Sequence, residues 1–196
     1  MSGGGSTSLM PMDTAQRFHE VAAGFTRRVH GVEDESWERP APCEGWVARD
    51  VVRHLVEWVP EFLFNFMAIE LPAGPAVEDD PVGAWEHLRR GLQAILDDPD
   101  LAGREIAGPT GPTTVGAAID QFVLGDVLVH TWDLARATGQ DETLVRTEVE
   151  RMLAGLEAIP EEVLVSSGHY GPRVAVPDDA DPQTRLIAVT GRDPSP

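Results

Sequence analysis

Apolar residues recur at three- and four-residue spacing along most of the chain, which is the pattern of amphipathic helices. The five helices that this pattern predicts begin near Asp13, Val47, Pro81, Thr113 or Thr114, and Asp141; the first, second, fourth and fifth end near Gly31, Ile69, Gly139 and Ile159. Pro60 lies inside the second helix and is expected to kink it. The sequence therefore predicts an all-α protein.

The two ends of the chain lack this periodicity. Residues 1–11 read MSGGGSTSLMP, without the charged and apolar regions of a signal peptide, and are interpreted as a flexible leader. Residues 12–160 hold the predicted helical bundle. Residues 161–196 are rich in Gly and Pro and return to apolar alternation only in RLIAV, so we expect an irregular tail packed on the bundle. The segment DDPDLAGREIAGPTGP, between the third and fourth helices, is expected to be an irregular connection.

Composition and charge exclude several classes of function. A chain of 196 residues, 42% of them hydrophobic, can fill the core of one domain. Its net charge of −18 opposes binding to nucleic acid or to an anionic membrane. All 15 basic residues are Arg, which excludes mechanisms that need a Lys. The single Cys43 cannot form an internal disulfide, and no apolar run approaches the length of a membrane span, so we expect a cytoplasmic protein.

Ionisable residues interrupt the apolar faces of two predicted helices. Asp126 and His130, four residues apart, fall on the inner face of the fourth helix beside Phe122. His54 falls on the apolar stripe of the second helix. A buried carboxylate without a partner costs several kcal/mol, and a divalent cation would satisfy it together with both imidazoles. A set of two histidines and one carboxylate leaves coordination positions open, as catalytic metal sites do.

Spacing alone leaves several alternatives open. Asp126 and His130 also fit a hydrogen-bonded pair that holds no metal. Asp133 is placed either to orient a ligand imidazole or to pair with Arg136 three residues later. His169 fits a lid over the site or an ordinary loop, and Cys43 a reactive thiol or a small packing residue. By their position, Trp46 and Trp58 are interpreted as core residues rather than as a substrate platform.

Three motifs carry a family resemblance. PCEGW followed by RDVVRHL, and then DVLVHTWDLARATG, resemble the metal-binding domain of mycothiol-dependent maleylpyruvate isomerases, in the DinB-like superfamily. Near the C-terminus, DPQTRLIAVTGRDP is similar to the closing signature of an actinobacterial branch of that group. The resemblance implies a DinB-like four-helix bundle with an additional C-terminal helix. It also implies that His54, Asp126 and His130 bind a divalent metal, with zinc as the first expectation and nickel, manganese or iron as alternatives.

The resemblance further implies that the metal binds a low-molecular-weight thiol such as mycothiol, which attacks a small electrophile. We therefore expect a metal-dependent thiol transferase or isomerase; the alternatives are a metal-dependent hydrolase and a non-catalytic metal- or ligand-binding bundle. The expected partners are a small substrate and the thiol, without nucleic acid or membrane, and a homodimer stays open. Two departures argue against maleylpyruvate isomerisation itself. Asp126 stands where the isomerase usually has Glu, and no residue here could be matched to the arginine in the isomerase's longer C-terminal domain.

Overall fold

The computed structural model describes residues 12–195, so the predicted leader at residues 1–11 lies outside the described residues. Helices dominate this part of the chain: α1 (Thr14–His30), α2 (Ala48–Met67), α3 (Pro81–Asp97), α4 (Pro99–Ala102), α5 (Val115–Ala118), α6 (Gly125–Thr138), α7 (Arg146–Glu157), α8 (Glu161–Ser166) and α9 (Pro182–Val189). A short 3-10 helix spans Asp34–Glu38, and a π-helical segment, Ile119–Leu124, joins α5 to α6. Among the described residues, no helix combines the length and the apolar character needed to cross a membrane.

Four long helices form a closed bundle. Helix α1 packs against α3 and α6, and α2 packs against the same two neighbours. The periodic apolar residues face inward, as in the edge-to-face contact of Phe25 and Trp85, whose ring centroids are 4.6 Å apart. The expected all-α fold, a DinB-like four-helix bundle with extra helices, is confirmed.

Several helix boundaries follow directly from local sequence. The side chain of Asp13 caps α1 by accepting a hydrogen bond from the backbone N–H of Gln16, and Thr114 caps α5 through the N–H of Ala117. Gly139 ends α6 in the left-handed conformation, with a φ of +71°. Helix α2 continues through Pro60 to Met67.

The predicted fourth helix is not a regular α-helix. It consists of α5, the π-helical segment Ile119–Leu124, and α6. A π-helical turn holds more residues than an α-turn, so it rotates the inner face relative to a uniform 3.6-residue period. Phe122, expected on the inner face, is only half-buried, whereas Val123 and Leu124 are buried. The irregular segment ends immediately before α6, whose first turn contains Asp126.

The connection between α4 and α5 and the predicted fifth helix both differ from expectation. The connection contains an antiparallel hairpin of β1 (Glu105–Gly108) and β2 (Gly111–Thr114), paired from Glu105 with Thr114 to Gly108 with Gly111. The predicted fifth helix, α7, begins at Arg146 instead of Asp141. The backbone before α7 forms hydrogen bonds outside a helix, because the Arg28 guanidinium donates to the carbonyls of Asp141 and Thr143.

The C-terminal tail is more ordered than its composition suggested. It contains α8 and α9, and the RLIAV segment forms the end of α9 instead of alternating as a strand. Helix α9 packs against α7 and buries Leu186 and Ile187 completely. After α9, Gly191 adopts a φ of +86°, and a Cβ on it would come within 2.5 Å of the Gly171 Cα. This close crossing of two glycines immediately precedes Arg192.

Candidate metal centre

Helices α2 and α6 bring the three predicted ligands together. His54 Nε2 lies 3.2 Å from Asp126 Oδ2, and His130 Nε2 lies 3.4 Å from Asp126 Oδ1. One ligand atom from each residue lies within 4.8 Å of the others. Two imidazole nitrogens and one carboxylate oxygen are a donor set that zinc and several other first-row divalent metals accept. The described residues therefore fit a divalent metal at this position.

The centre is buried on one side and accessible on the other. The side chain of His130 is only 6% exposed, whereas those of His54 and Asp126 are 31% and 28% exposed. A structural zinc site usually has four protein ligands, whereas this set supplies three. The partial exposure of two of them shows that this side of the centre is in contact with solvent.

Two tryptophans border the open side. Trp58, one turn after His54 on α2, donates its indole N–H to Asp126 Oδ2 at 2.9 Å. Trp46 stacks on His130 at 5.8 Å between ring centroids, with an angle of 17° between the ring planes. Both tryptophans are half-buried, so they contact the core and also form the wall of the candidate centre. Their interpretation as core residues therefore describes only part of their surroundings.

Asp133 bonds to the far side of His130. Its Oδ2 lies 2.8 Å from His130 Nδ1, and its side chain is completely buried. An ionised carboxylate can only accept, so Nδ1 is the donor. Arg136, the alternative partner of Asp133, pairs with Glu142 instead. The structure thus places Asp133 where it orients the imidazole, with Nε2 on the side of Asp126.

The side chain of Arg192 completes this buried network. It donates from Nε to Asp133 Oδ1 at 2.7 Å and from Nη2 to Asp133 Oδ2 at 2.8 Å. Sequence reasoning missed this residue, and the one signal that could have found it was its place in the closing segment TGRDP. Cys43 lies in the same network, with its Sγ 3.4 Å from Arg192 Nη2 and 3.6 Å from Asp133 Oδ2.

The charged groups of the centre shift one another's pKa. Burial alone would raise the pKa of Asp126, but the charge and hydrogen bonds of His130 and His54 outweigh burial and hold this pKa far below its usual range. Burial would likewise lower the pKa of His130, yet Asp126 and the hydrogen bond to Asp133 raise it well above its usual value. Asp126 and His130 therefore each favour the charged form of the other.

In the segment around His169, the charge of the candidate centre affects Tyr170 rather than His169. His169 is exposed, while its neighbour Tyr170 is half-buried and packs against the core. Burial, and secondly the negative charge of Asp126, raise the pKa of the Tyr170 phenol. The field of the candidate centre thus reaches Tyr170.

Comparison with known proteins gives a consistent picture. The sequence matches the mycothiol maleylpyruvate isomerase N-terminal domain over residues 18–135. Two uncharacterized proteins, from two strains of Mycobacterium tuberculosis, are each 26% identical over 185 residues, covering 92% of this chain and 98% of each relative. No solved structure gives a significant match. Because the matched region spans more than half of the chain, the protein belongs to the mycothiol maleylpyruvate isomerase N-terminal domain family.

Proposed function

We propose that this protein is a metal-dependent, thiol-using transferase or isomerase that acts on a small electrophile. His54, Asp126 and His130 would hold the divalent metal, with zinc as the first candidate. The observation that carries the proposal is the convergence of these three donors, from two helices, within 4.8 Å of one another on a partly open face. Family membership supports the metal and the thiol as its ligand.

A bound divalent metal would supply one property, the stabilisation of a thiolate over a thiol at neutral pH. The chain's own residues would supply the ligand atoms and hold them in place. His54 and His130 each offer a ring nitrogen as a donor, and Asp126 offers a negative charge that offsets part of the charge of the cation. Asp133 holds His130 in one orientation through Nδ1.

The tryptophan wall supports an apolar or aromatic substrate portion beside the donors. Trp46 stacks on His130, and a chain of ring contacts runs from Trp58 through Phe62 to Phe122. Such a wall excludes water from one side of a reacting thiolate and orients a planar substrate. Asp126 has a shorter side chain than a Glu, so it presents its carboxylate to the metal with a different geometry. The identity of the metal therefore has to be measured. The thiol and the electrophile are the proposed partners.

The first test is elemental analysis of the purified protein beside its His54→Ala and His130→Ala variants. We expect about one divalent metal per chain in the parent and loss of the metal from both variants. His30→Ala is the matched control, because His30 is exposed and pairs with Glu86 on the surface. A parent that binds no metal after reconstitution would contradict the proposal.

The second test separates the types of reaction. The metal-loaded protein is incubated with a panel of small electrophiles, with and without a low-molecular-weight thiol. Turnover that requires the thiol supports the proposal. Turnover with water alone would identify a metal-dependent hydrolase, and stoichiometric metal without turnover would favour a binding protein.

A further inference from the structure

We propose that Arg192 is a positioning residue of the metal centre, which acts on His130 through Asp133. The inference rests on the proposed metal site and extends it to a residue of the C-terminal tail. Arg192 lies outside residues 18–135, the region matched by the family. It is assigned here from its contacts alone.

The contacts of Arg192 with Asp133 are paired and shielded from solvent. Two different nitrogens of the guanidinium donate to the two oxygens of one carboxylate, at 2.7 and 2.8 Å. The side chain of Arg192 is 12% exposed and that of Asp133 is completely buried. A two-point contact fixes the plane of the carboxylate as well as its distance, which a single hydrogen bond does not do.

The fixed carboxylate in turn determines what His130 presents to a metal. Asp133 Oδ2 accepts from His130 Nδ1 at 2.8 Å, so Nε2 is the nitrogen that lies near Asp126. If Arg192 were removed, Asp133 would keep its negative charge in a completely buried position without a cation from the tail. The carboxylate would then no longer be held in one plane, and the orientation of His130 would no longer be unique.

The path of the tail brings Arg192 into contact with Asp133. Helix α9 packs on α7, and Gly191 crosses Gly171 closely immediately before Arg192. A second tail arginine, Arg185, pairs with Glu157 at the surface, where both side chains are partly exposed. Arg185 therefore attaches the same tail without contacting the centre, which makes it the matched control.

The test is a double-mutant cycle with zinc as the probe, read as the zinc dissociation constant in competition with a fluorescent chelator. The variants are Arg192→Met, Arg192→Lys, Asp133→Asn and the Arg192→Met, Asp133→Asn double variant. We expect Arg192→Met to weaken zinc binding by about 10- to 100-fold. Arg192→Lys should recover only part of this loss, because an ammonium group cannot engage both carboxylate oxygens in the same plane. In the Asp133→Asn background, replacing Arg192 should change zinc binding by less than about threefold.

Three results would overturn the inference. They are zinc binding by Arg192→Met within about twofold of the parent, a full loss on replacing Arg192 in the Asp133→Asn background, and an equal loss in Arg185→Met. Thermal melting of both arginine variants shows whether the tail remains folded, and Arg192→Lys keeps the test valid if Arg192→Met unfolds. A parent that fails to bind zinc would overturn the proposed function itself, which is a different outcome from normal binding in the Arg192 variants.

Discussion

The indole N–H of Trp58 donates to Asp126 Oδ2, the same oxygen that lies 3.2 Å from His54 Nε2. Trp58 and His54 are four residues apart on α2, so both project from one face of that helix. The other oxygen of Asp126 faces His130. One oxygen of this carboxylate thus contacts α2 and the other faces His130 on α6, and the hydrogen bond from Trp58 helps to fix the plane of the carboxylate.

The Trp58→Phe variant should weaken zinc binding by about tenfold while leaving the protein folded, because it removes the donor and keeps an aromatic ring. The measurement is chelator competition. Trp85→Phe is the control, since it removes the part-buried hydrogen bond from Trp85 on α3 to Thr26 Oγ1 on α1. We expect that control to lower the melting temperature without changing zinc affinity. Equal zinc affinity in Trp58→Phe and the parent would show that the hydrogen bond does not support the centre.

Stability of the metal-free protein should also depend on His130. His130→Ala removes the partner of Oδ1 of Asp126 and one hydrogen bond to the buried Asp133. We expect the free energy of unfolding in urea to fall by about 1–3 kcal/mol. His30→Ala, on the surface of α1, should change it little. A His130→Ala variant as stable as the parent would mean that the pair adds nothing to the metal-free fold.

Zinc affinity should rise with pH. The pKa of His130 in the metal-free protein is raised, because the effects of Asp126 and Asp133 exceed that of burial. Asp126 is already ionised, since its pKa is held low by the two histidines despite burial. Below the raised pKa, zinc must displace the proton from His130, so log affinity should increase by about one for each pH unit. Calorimetry in buffers of different ionisation enthalpy counts the protons released. Affinity that is independent of pH in weakly acidic solution would contradict this protonation state.

A second buried ion pair, remote from the centre, should matter for stability alone. Arg17 donates to both oxygens of Glu148 at 2.8 and 2.6 Å and joins α1 to α7. Glu148→Gln leaves a buried guanidinium whose remaining ionic partner, among residues 12–195, is Asp120, so we expect a loss of about 2–4 kcal/mol in urea unfolding. The control is Glu150→Gln, whose partner Arg146 is exposed, and it should have no measurable effect. Zinc binding by the folded Glu148→Gln variant should match the parent.

The glycine crossing in the tail can be tested by comparing two substitutions. Gly191→Ala and Gly168→Ala both place a side chain on a residue with positive φ, at +86° and +76°. Only at Gly191 would the new Cβ meet backbone atoms, 2.5 Å from the Gly171 Cα, whereas nothing lies within 4 Å of a Cβ at Gly168. We expect Gly191→Ala to lower both the melting temperature and the zinc affinity, because it displaces Arg192. Gly168→Ala should cost only about 1 kcal/mol of stability. Equal zinc affinity in both variants would separate the crossing from the centre.

Much of the bundle was determined by local sequence. Apolar spacing predicted the long helices, and the side chains of Asp13 and Thr114 marked where two of them begin. Spacing also placed His54, Asp126 and His130 on inward faces, since residues four apart on a helix share a face whatever packs against it. That these three bind a metal stays a prediction. The π-helical segment escaped this reasoning, because a uniform period of 3.6 residues contains no information about an inserted residue.

The residues that support the centre follow from contacts between distant parts of the chain. Asp133 could have paired with Arg136 by spacing, yet it pairs with Arg192, which is 59 residues away. That choice depends on the packing of α9 against α7 and on the crossing at Gly191, neither of which is encoded in a local pattern. The long helices and the inward direction of the candidate ligands could thus be read from the amino-acid pattern, because these depend on backbone periodicity and side-chain type. The partners of those ligands were decided by contacts between distant segments, because hydrogen bonds in a buried network form with whichever side chains the fold brings within reach.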